Sequence, residues 1–156
     1  MDIINIVSFG GGTNSAALLI GLYKNKIPVD LITFADTGAE HPHTYQFIRV
    51  MDRWLSAHGM PQITVVQKVD RDGNRLTLET ECLRSHTLPS IAYGHKRCSQ
   101  KHKIGPQEKF CNHYPLCREV WQRGEKVNRF IGYDAGEMKR YERSRQHNET
   151  DKKYHN

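Results

Sequence analysis

The chain has 156 residues, with 23 lysines and arginines against 17 acidic residues and a formal net charge of +6. This length fits one domain with a buried core, and charges of both signs beside 37% hydrophobic residues exclude a wholly disordered chain. No apolar run approaches the roughly 20 residues of a membrane-spanning helix, and residues 1–9 lack the basic start and cleavage site of a signal peptide. We therefore expect a cytoplasmic protein whose surplus positive charge suits an anionic partner.

Three short apolar runs in the first half of the chain have the branched aliphatic composition of buried parallel strands. They span residues 3–9, 29–35 and 63–69. A helix is predicted after each of the first two runs, one beginning at Thr13 or Asn14 and the next near Pro42. The second helix carries one apolar stripe, which consists of Phe47, Met51, Trp54 and Leu55. This alternation predicts a doubly wound, mostly parallel α/β sheet with helices on both faces, in a single domain.

The second half of the chain has a less regular pattern. A short helix is predicted over residues 76–83. Residues 86–106 contain few aliphatic side chains and are predicted to form an ordered loop. A proline and a glycine bound a further predicted helix over residues 115–124. Residues 127–133 have the composition of a fourth strand.

The last stretch of the chain, residues 137–156, carries six lysines and arginines, four acidic residues and no isoleucine, leucine or valine. Such a stretch cannot bury an apolar face of its own. We therefore predict a domain over residues 1–140 and a charged terminal segment over residues 141–156 that is mobile or forms a solvated helix. No internal repeat or linker divides the chain further.

The four cysteines occupy positions 82, 98, 111 and 117. Because the cytosol keeps thiols reduced and none of the spacings is CxxC, we expect neither a disulfide framework nor a zinc or Fe–S site. A metal held by Cys111, His113 and Cys117, with Cys98, is an alternative. The favoured interpretation is free thiols that are partly buried.

Two loops, residues 10–15 and 36–40, follow predicted strands and lie where open parallel sheets bind ligands. Three successive glycines in the first loop allow the backbone to approach a ligand, and the next helix points its free N–H groups at the same place. Phosphate or sulfate binding is favoured over a tight turn alone. Because GxxxxGK[ST] is absent and Ser15 replaces the third glycine of GxGxxG, the usual P-loop is excluded and a dinucleotide site is disfavoured.

Four segments resemble the motifs of one superfamily. Residues 8–15, SFGGGTNS, are similar to the SGGxDS loop of the adenine nucleotide alpha hydrolase (PP-loop) superfamily. Residues 34–42, 98–106 and 131–140 resemble the FxDTGxExPxT, C[ST]xKxKxxP and IGxxxxExxR segments of its phosphoadenosine phosphosulfate (PAPS) reductase branch. The four segments occur in the same order as in the family and extend over most of the chain. By this resemblance the chain is identified as a member of the PAPS reductase-like branch.

The resemblance implies a doubly wound sheet that binds an adenine nucleotide. The ligand is either ATP, which members cleave between the α and β phosphates, or PAPS, whose sulfur a cysteine attacks. By position in the motifs, the resemblance assigns the phosphates or sulfate to the first loop, Ser8, Gly10, Gly11, Gly12, Thr13, Asn14 and Ser15. The nucleoside would lie against the second loop, at Asp36, Thr37 and Gly38. Positive charge would come from Lys101, Lys103 and Arg140.

An anion of three or four charges needs more than the glycine loop, since a helix N-terminus contributes about 0.3–2 kcal/mol toward holding an anion. Lys101 and Lys103 are therefore candidate catalytic residues. Mg²⁺ is an expected cofactor that Asp36 and Glu40 could hold, unless these carboxylates cap the next helix. Cys98 lies among several cations, which favours its thiolate form, so it is a candidate nucleophile, with a packing role as the alternative.

Departures from the family pattern keep other functions open. Gly10 and Asn14 replace the family's serine and aspartate, and the lost carboxylate removes a metal contact and a general base. No Glu-Cys-Gly-x-His segment follows, and the chain ends soon after residue 140, as a naturally short form or a fragment. The leading hypothesis is an enzyme that acts on ATP or, with a thiol reductant, on a sulfonucleotide. The alternatives are a nucleotide-binding module without turnover, and a nucleic-acid binder or accessory of a nucleic-acid modification enzyme, which the charge suggests.

Overall fold

The computed structural model describes residues 3–88 and 100–156, and its centre is a sheet of five parallel strands. The strands are β1 (Asn5–Ser8), β2 (Leu31–Ala35), β3 (Ile63–Val66), β4 (Val127–Ile131) and β5 (Tyr154–His155). Their spatial order is β3-β2-β1-β4-β5. From β1 the chain adds β2 and β3 on one side and then returns to the other side with β4. Open parallel sheets bind ligands at such a reversal, beyond the carboxyl ends of the strands.

Six α-helices occur in the described ranges, with two shorter helical turns. The helices are α1 (Thr13–Lys24), α2 (Pro42–Ala57), α3 (Leu78–Ser85), α4 (Gly105–His113), α5 (Pro115–Gln122) and α6 (Met138–Thr150). A π-helical turn (Gln100–Ile104) leads into α4, and a 3₁₀ turn (Ala135–Glu137) leads into α6. None of the helices within these ranges is both long enough and apolar enough to cross a membrane.

Successive residues of the central strand β1 contribute to two different buried clusters, one on each face of the sheet. Val7 belongs to a cluster with Leu19 of α1 and Leu55 of α2. Ile6, its neighbour, belongs to a second cluster with Val120 of α5. Because burying such a side chain stabilises the fold by about 1.5–3 kcal/mol, the alternation fixes which helices cover which face. The predicted doubly wound α/β fold with helices on both faces is confirmed.

The loop predicted over residues 86–106 needs a correction at its end. That prediction is wrong for residues 100–106, which form the π-helical turn and the start of α4. The reason is that His102 and Pro106 are buried and anchor this segment, although it lacks aliphatic side chains that would indicate a helix. The rest of the predicted loop, residues 89–99, lies outside the described residues.

The last 16 residues contain most of α6 and the edge strand β5. No residue of α6 is buried, as a solvated helix requires. β5 pairs in parallel with β4, and Tyr154 is 2% exposed within the second cluster. The sequence pattern missed this strand, because a single buried tyrosine between charged residues has no periodicity. The division into a domain and a terminal segment stays a prediction.

Candidate functional site

A cleft of about 900 Å³ opens beyond the carboxyl ends of β1 and β4, where the strand order reverses. One wall is the glycine turn after β1 together with the first residues of α1. A second wall, which adjoins the first, is the segment after β4, with Tyr133, Asp134 and Arg140. Lys103 and Gln107 close a third side. The topology thus brings together residues from the two ends of the chain.

The glycine turn presents an uncapped helix end to this cleft. Gly12 is the N-cap of α1, and no side chain caps the helix there. The first backbone N–H groups of a helix have no partner within the helix itself. The Ser15 hydroxyl braces the turn, since it accepts from the Gly10 amide at 3.1 Å and donates to the Gly12 carbonyl at 3.1 Å. The turn is therefore rigid and offers amide donors to a ligand.

The glycines of this turn serve different purposes. Gly11 has φ +76°, and a Cβ there would lie 2.7 Å from Thr44 Cγ2 and 3.1 Å from the Phe34 ring. The turn geometry alone therefore requires glycine at position 11. A Cβ at Gly12 would meet nothing within 4 Å. Because Gly12 lines the cleft, its missing side chain leaves space that a ligand can use.

The wall after β4 is held by a capping box. The Asp134 side chain accepts from the Gly136 amide at 2.9 Å, and the Glu137 side chain accepts from the Asp134 amide at 3.0 Å. Arg140 donates to Glu137 at 2.9 Å, and its guanidinium lies 5.2 Å from the centre of the Tyr133 ring. This arrangement places a cation and an aromatic ring on the same wall of the cleft.

Three cationic side chains line the cleft, and each has an acidic partner. Lys103 pairs with Glu40 at 3.3 Å, and Arg129 pairs with Glu108 at 2.6 Å. Lys103 and Arg140 are about half exposed, at 49% and 57% of the side chain, whereas Arg129 is 19% exposed. The Arg140–Glu137 pair is exposed, and such a pair contributes about 0–1 kcal/mol, so Arg140 can exchange its carboxylate for a bound anion at little cost. In the Lys103 pair the lysine is the more exposed partner, since Glu40 is 19% exposed.

The sequence around this cleft is similar to that of known proteins. The sequence model of the phosphoadenosine phosphosulfate reductase domain matches residues 4–132, from just before β1 to the glycine after β4. The chain belongs to this family. An uncharacterized nin region protein, ORF290 of Escherichia phage lambda, is 30% identical over an alignment of 154 residues that covers 88% of this chain and 50% of the phage protein. The PAPS reductase-like chain therefore spans about half the length of the curated relative that it matches.

In this PAPS reductase-like chain, the structure brings eight of the predicted site residues to the cleft. They are Ser8, Gly10, Gly12, Thr13, Asn14, Ser15, Lys103 and Arg140. Gly11 lies within the same turn. Lys101 is directed elsewhere and pairs with Glu81 at 3.0 Å. The predicted roles of these residues stay predictions.

Asp36, Thr37 and Gly38 form a separate hydrogen-bonded loop next to the cleft. Asp36 Oδ1 accepts from the Tyr45 hydroxyl at 2.7 Å and from the Gly38 amide at 2.8 Å, while Oδ2 pairs with Arg75 at 2.6 Å. Burial and the hydrogen bond to Asp36 raise the pKa of Tyr45, so this phenol remains a donor. Glu40 accepts from the Thr37 hydroxyl at 3.1 Å.

These contacts decide how well Asp36 and Glu40 fit Mg²⁺. Both carboxylates already hold a cationic side chain, Arg75 and Lys103 respectively. Within residues 3–88 and 100–156, no group of three or more His, Cys, Asp or Glu side chains is placed to hold a metal ion. As arranged, the two carboxylates do not fit a magnesium site, and we derive no chemical step through Mg²⁺ at this place.

The thiols of the described residues lie away from the cleft. Cys111 and Cys117 are free and buried where α4 and α5 cover the sheet, and Cys82 is free and half-buried in α3. Hydrogen bonding between the two buried thiols lowers the pKa of Cys111 and raises that of Cys117. Cys98, the predicted nucleophile, lies outside the described residues.

Sequence reasoning missed several residues of the cleft, including Arg129, Tyr133 and Gln107. Tyr133 stands inside the late family-like segment, from which Arg140 was carried over as a site residue. Tyr133 follows Gly132 at the end of β4, just as the glycine turn follows the end of β1. This similarity could have identified Tyr133 as a residue of the cleft. Arg129 and Gln107 stand in a strand and a helix with no local pattern that marks them.

Proposed function

We propose that this chain binds an adenine nucleotide, ATP or a sulfonucleotide, in the cleft and acts at its α phosphate or its sulfate. The observation that carries the proposal is the uncapped N-terminus of α1, which opens on the cleft at Gly12, where a Cβ would meet no atom within 4 Å. Membership of the PAPS reductase family supports the choice of nucleotide.

The charge of the cleft supports an anionic ligand. The amide groups of the turn and the dipole of α1 contribute about 0.3–2 kcal/mol toward an anion. Lys103 and Arg140 also line the cleft, each on a side chain that is about half exposed, and a bound anion would compete with Glu40 and Glu137 for them. Charge-assisted hydrogen bonds from these side chains would supply the larger part of the binding energy.

Catalysis would then be electrostatic. Amide donors and Lys103 would stabilise the negative charge that develops on the leaving oxygen, which belongs to pyrophosphate when the ligand is ATP and to the nucleotide phosphate when it is PAPS. In the first case a nucleophilic group of an acceptor substrate would attack the α phosphorus and take the adenylyl group, and the bond to the β phosphate would break with its electrons on the pyrophosphate oxygen. In the second case a cysteine thiolate would attack sulfur, the S–O bond would break with its electrons on the phosphate oxygen, and an external thiol reductant would then release sulfite. Cys98 is the proposed thiol for that reaction.

The experiment measures binding and turnover of both nucleotides by one protein preparation. Calorimetry gives Kd for ATP and PAPS, and product assays follow pyrophosphate from ATP and sulfite from PAPS with dithiothreitol and Mg²⁺ present. Lys103→Met should weaken binding about tenfold, which is the loss of about 1.4 kcal/mol. Lys109→Met is the matched control, because Lys109 is an exposed residue of α4 away from the cleft. Absence of binding of either nucleotide would contradict the proposal.

A binding module without turnover is the second candidate. Two observations favour it: Asn14 stands at the cleft where the family has a carboxylate, and no cysteine among the described residues lines the cleft. Nucleotide would then raise the melting temperature while neither pyrophosphate nor sulfite appears. Release of either product above the level of a Ser15→Ala variant would exclude this candidate.

A further inference from the structure

Glu81 of α3 contacts two lysines and one histidine from two other segments of the chain. Its Oε2 accepts from Lys68 Nζ at 2.9 Å and contacts His102 Nε2, and its Oε1 accepts from Lys101 Nζ at 3.0 Å. Burial opposes ionisation of this carboxyl, yet hydrogen bonds from Lys68, Lys101 and His102 lower the pKa of Glu81 to about 2. The carboxylate therefore remains charged near neutral pH and keeps these partners.

Two of the partners, Lys101 and His102, lie in the π-helical turn that carries Lys103 to the cleft. His102 is 2% exposed, and its Nδ1 is buried without a hydrogen-bond partner in the part of the chain that the structure describes. A buried unpaired nitrogen costs free energy, so the contact of Nε2 with Glu81 is what holds the imidazole in place. Single turns of π-helix occur frequently at functional sites.

The other side of the turn is held by Gln107. Its Nε2 donates to the Lys103 carbonyl at 3.1 Å, and its Oε1 accepts from the buried Thr33 hydroxyl at 2.8 Å. The Lys103 ammonium itself has one contact with a carboxylate, Glu40 at 3.3 Å, and the lysine side of this pair is about half exposed. The position of Lys103 is thus set by the anchors of its backbone and not by its own side-chain contact.

We propose that Glu81 is a positioning residue for the cleft. Through His102 and the π-helical turn, it fixes Lys103 where a phosphate or sulfate group can take this ammonium from Glu40. Glu81 does not line the cleft, so it acts through Lys103. The inference rests on the proposed function and adds a residue of α3 to the machinery that binds the anion.

A double-mutant cycle on the full chain tests the proposal, with Kd for ATP and PAPS measured by calorimetry. Glu81→Gln keeps the side-chain volume and removes the charge, and it should raise Kd about fivefold to tenfold. In a Lys103→Met background the same change should alter Kd by less than about twofold, because the route through Lys103 is already lost. Equal fold-changes in the two backgrounds would mean a merely structural role and would overturn the proposal.

A second pair of variants separates positioning from folding. Lys68→Met removes a partner of Glu81 that lies outside the turn, and it should lower the melting temperature while Kd stays within about twofold of wild type. If Glu81→Gln does not fold, His102→Leu replaces it in the cycle, with the same expected result. Should the wild type bind neither nucleotide, the proposed function itself fails. Should Lys103→Met weaken binding while Glu81→Gln and His102→Leu do not, the role of Glu81 alone is refuted.

Discussion

Gly132, directly after β4, lies against the backbone of Asn14 at the start of α1. A Cβ at position 132 would be 2.9 Å from the carbonyl carbon and oxygen of Asn14 and 2.9 Å from the amide nitrogen of Ser15. Side chains are not accommodated at such distances from backbone, so only glycine lets the two walls of the cleft meet. This contact joins the carboxyl ends of β1 and β4, between which the ligand is proposed to bind.

Gly132→Ala should therefore destabilise the protein by about 1–3 kcal/mol, because the added methyl group has to push α1 away from β4. We also expect weaker nucleotide binding, since the displaced residues belong to the glycine turn. Urea unfolding measures the first effect and calorimetry the second. Gly21→Ala is the control: a Cβ at Gly21 meets nothing within 4 Å, so in the interior of α1 this change should stabilise by about 0.5–1 kcal/mol. Equal stability of the Gly132→Ala variant and wild type would contradict the packing argument.

Ser15→Ala should open the glycine turn. The Ser15 hydroxyl connects the Gly10 amide to the Gly12 carbonyl, and its loss removes both hydrogen bonds, although the Gly12 carbonyl still accepts from the Ala16 amide. We expect a loss of about 0.5–1.5 kcal/mol in the free energy of unfolding and a clear loss of nucleotide affinity. Ser56→Ala, on the exposed side of α2, should change neither quantity. Nucleotide affinity unchanged by Ser15→Ala would remove the turn from the site.

Stability should depend on pH through Glu81. The folded pKa of about 2 lies below the ordinary value of 4.5, so the stabilisation from this carboxylate is present above about pH 4.5 and is lost as the pH falls toward 2. The difference in the free energy of unfolding between wild type and Glu81→Gln should therefore be largest near neutral pH and shrink on acidification. Glu79→Gln, on the exposed side of the same helix, should show no comparable trend. A difference that stays constant with pH would refute the ionised cluster.

Tyr154 should be as important to stability as a central core residue, although it stands two positions from the last residue. It packs edge-on against Trp121 and beneath the guanidinium of Arg129, whose Cζ lies 4.0 Å from the ring centre. Tyr154→Ala should lower the free energy of unfolding by about 3–5 kcal/mol, which is the range for replacing a buried large aromatic side chain with alanine. His155→Ala, at the exposed neighbouring position of β5, is expected to cost less than about 0.5 kcal/mol. Similar melting temperatures for the two variants would show that β5 adds nothing to the core.

Much of the fold could be predicted from local patterns. The branched aliphatic run of β1, the glycines after it and the apolar stripe of α2 each specify an element through neighbouring residues, because strand and helix periodicity are local properties. The turn from β1 to α1 was predicted to bind an anion for the same reason, and that role stays a prediction. The π-helical turn that leads into α4 was missed because His102, a polar residue, is buried there through contact with Glu81, 21 positions away in the sequence.

The sequence by itself determined the parallel sheet, the family and the glycine turn, since each depends on residues close together in the chain. Only the tertiary structure decided which charges face the cleft. Lys101 and Lys103 are two positions apart, yet Lys101 pairs with Glu81 and Lys103 lines the cleft. The reason is that the π-helical turn sends them in different directions, and the carboxylates they meet come from separate segments of the chain. The cations of the cleft therefore have a location that composition could not give: Lys103, Arg129 and Arg140, each paired with a carboxylate, line the same cleft as the amino end of α1.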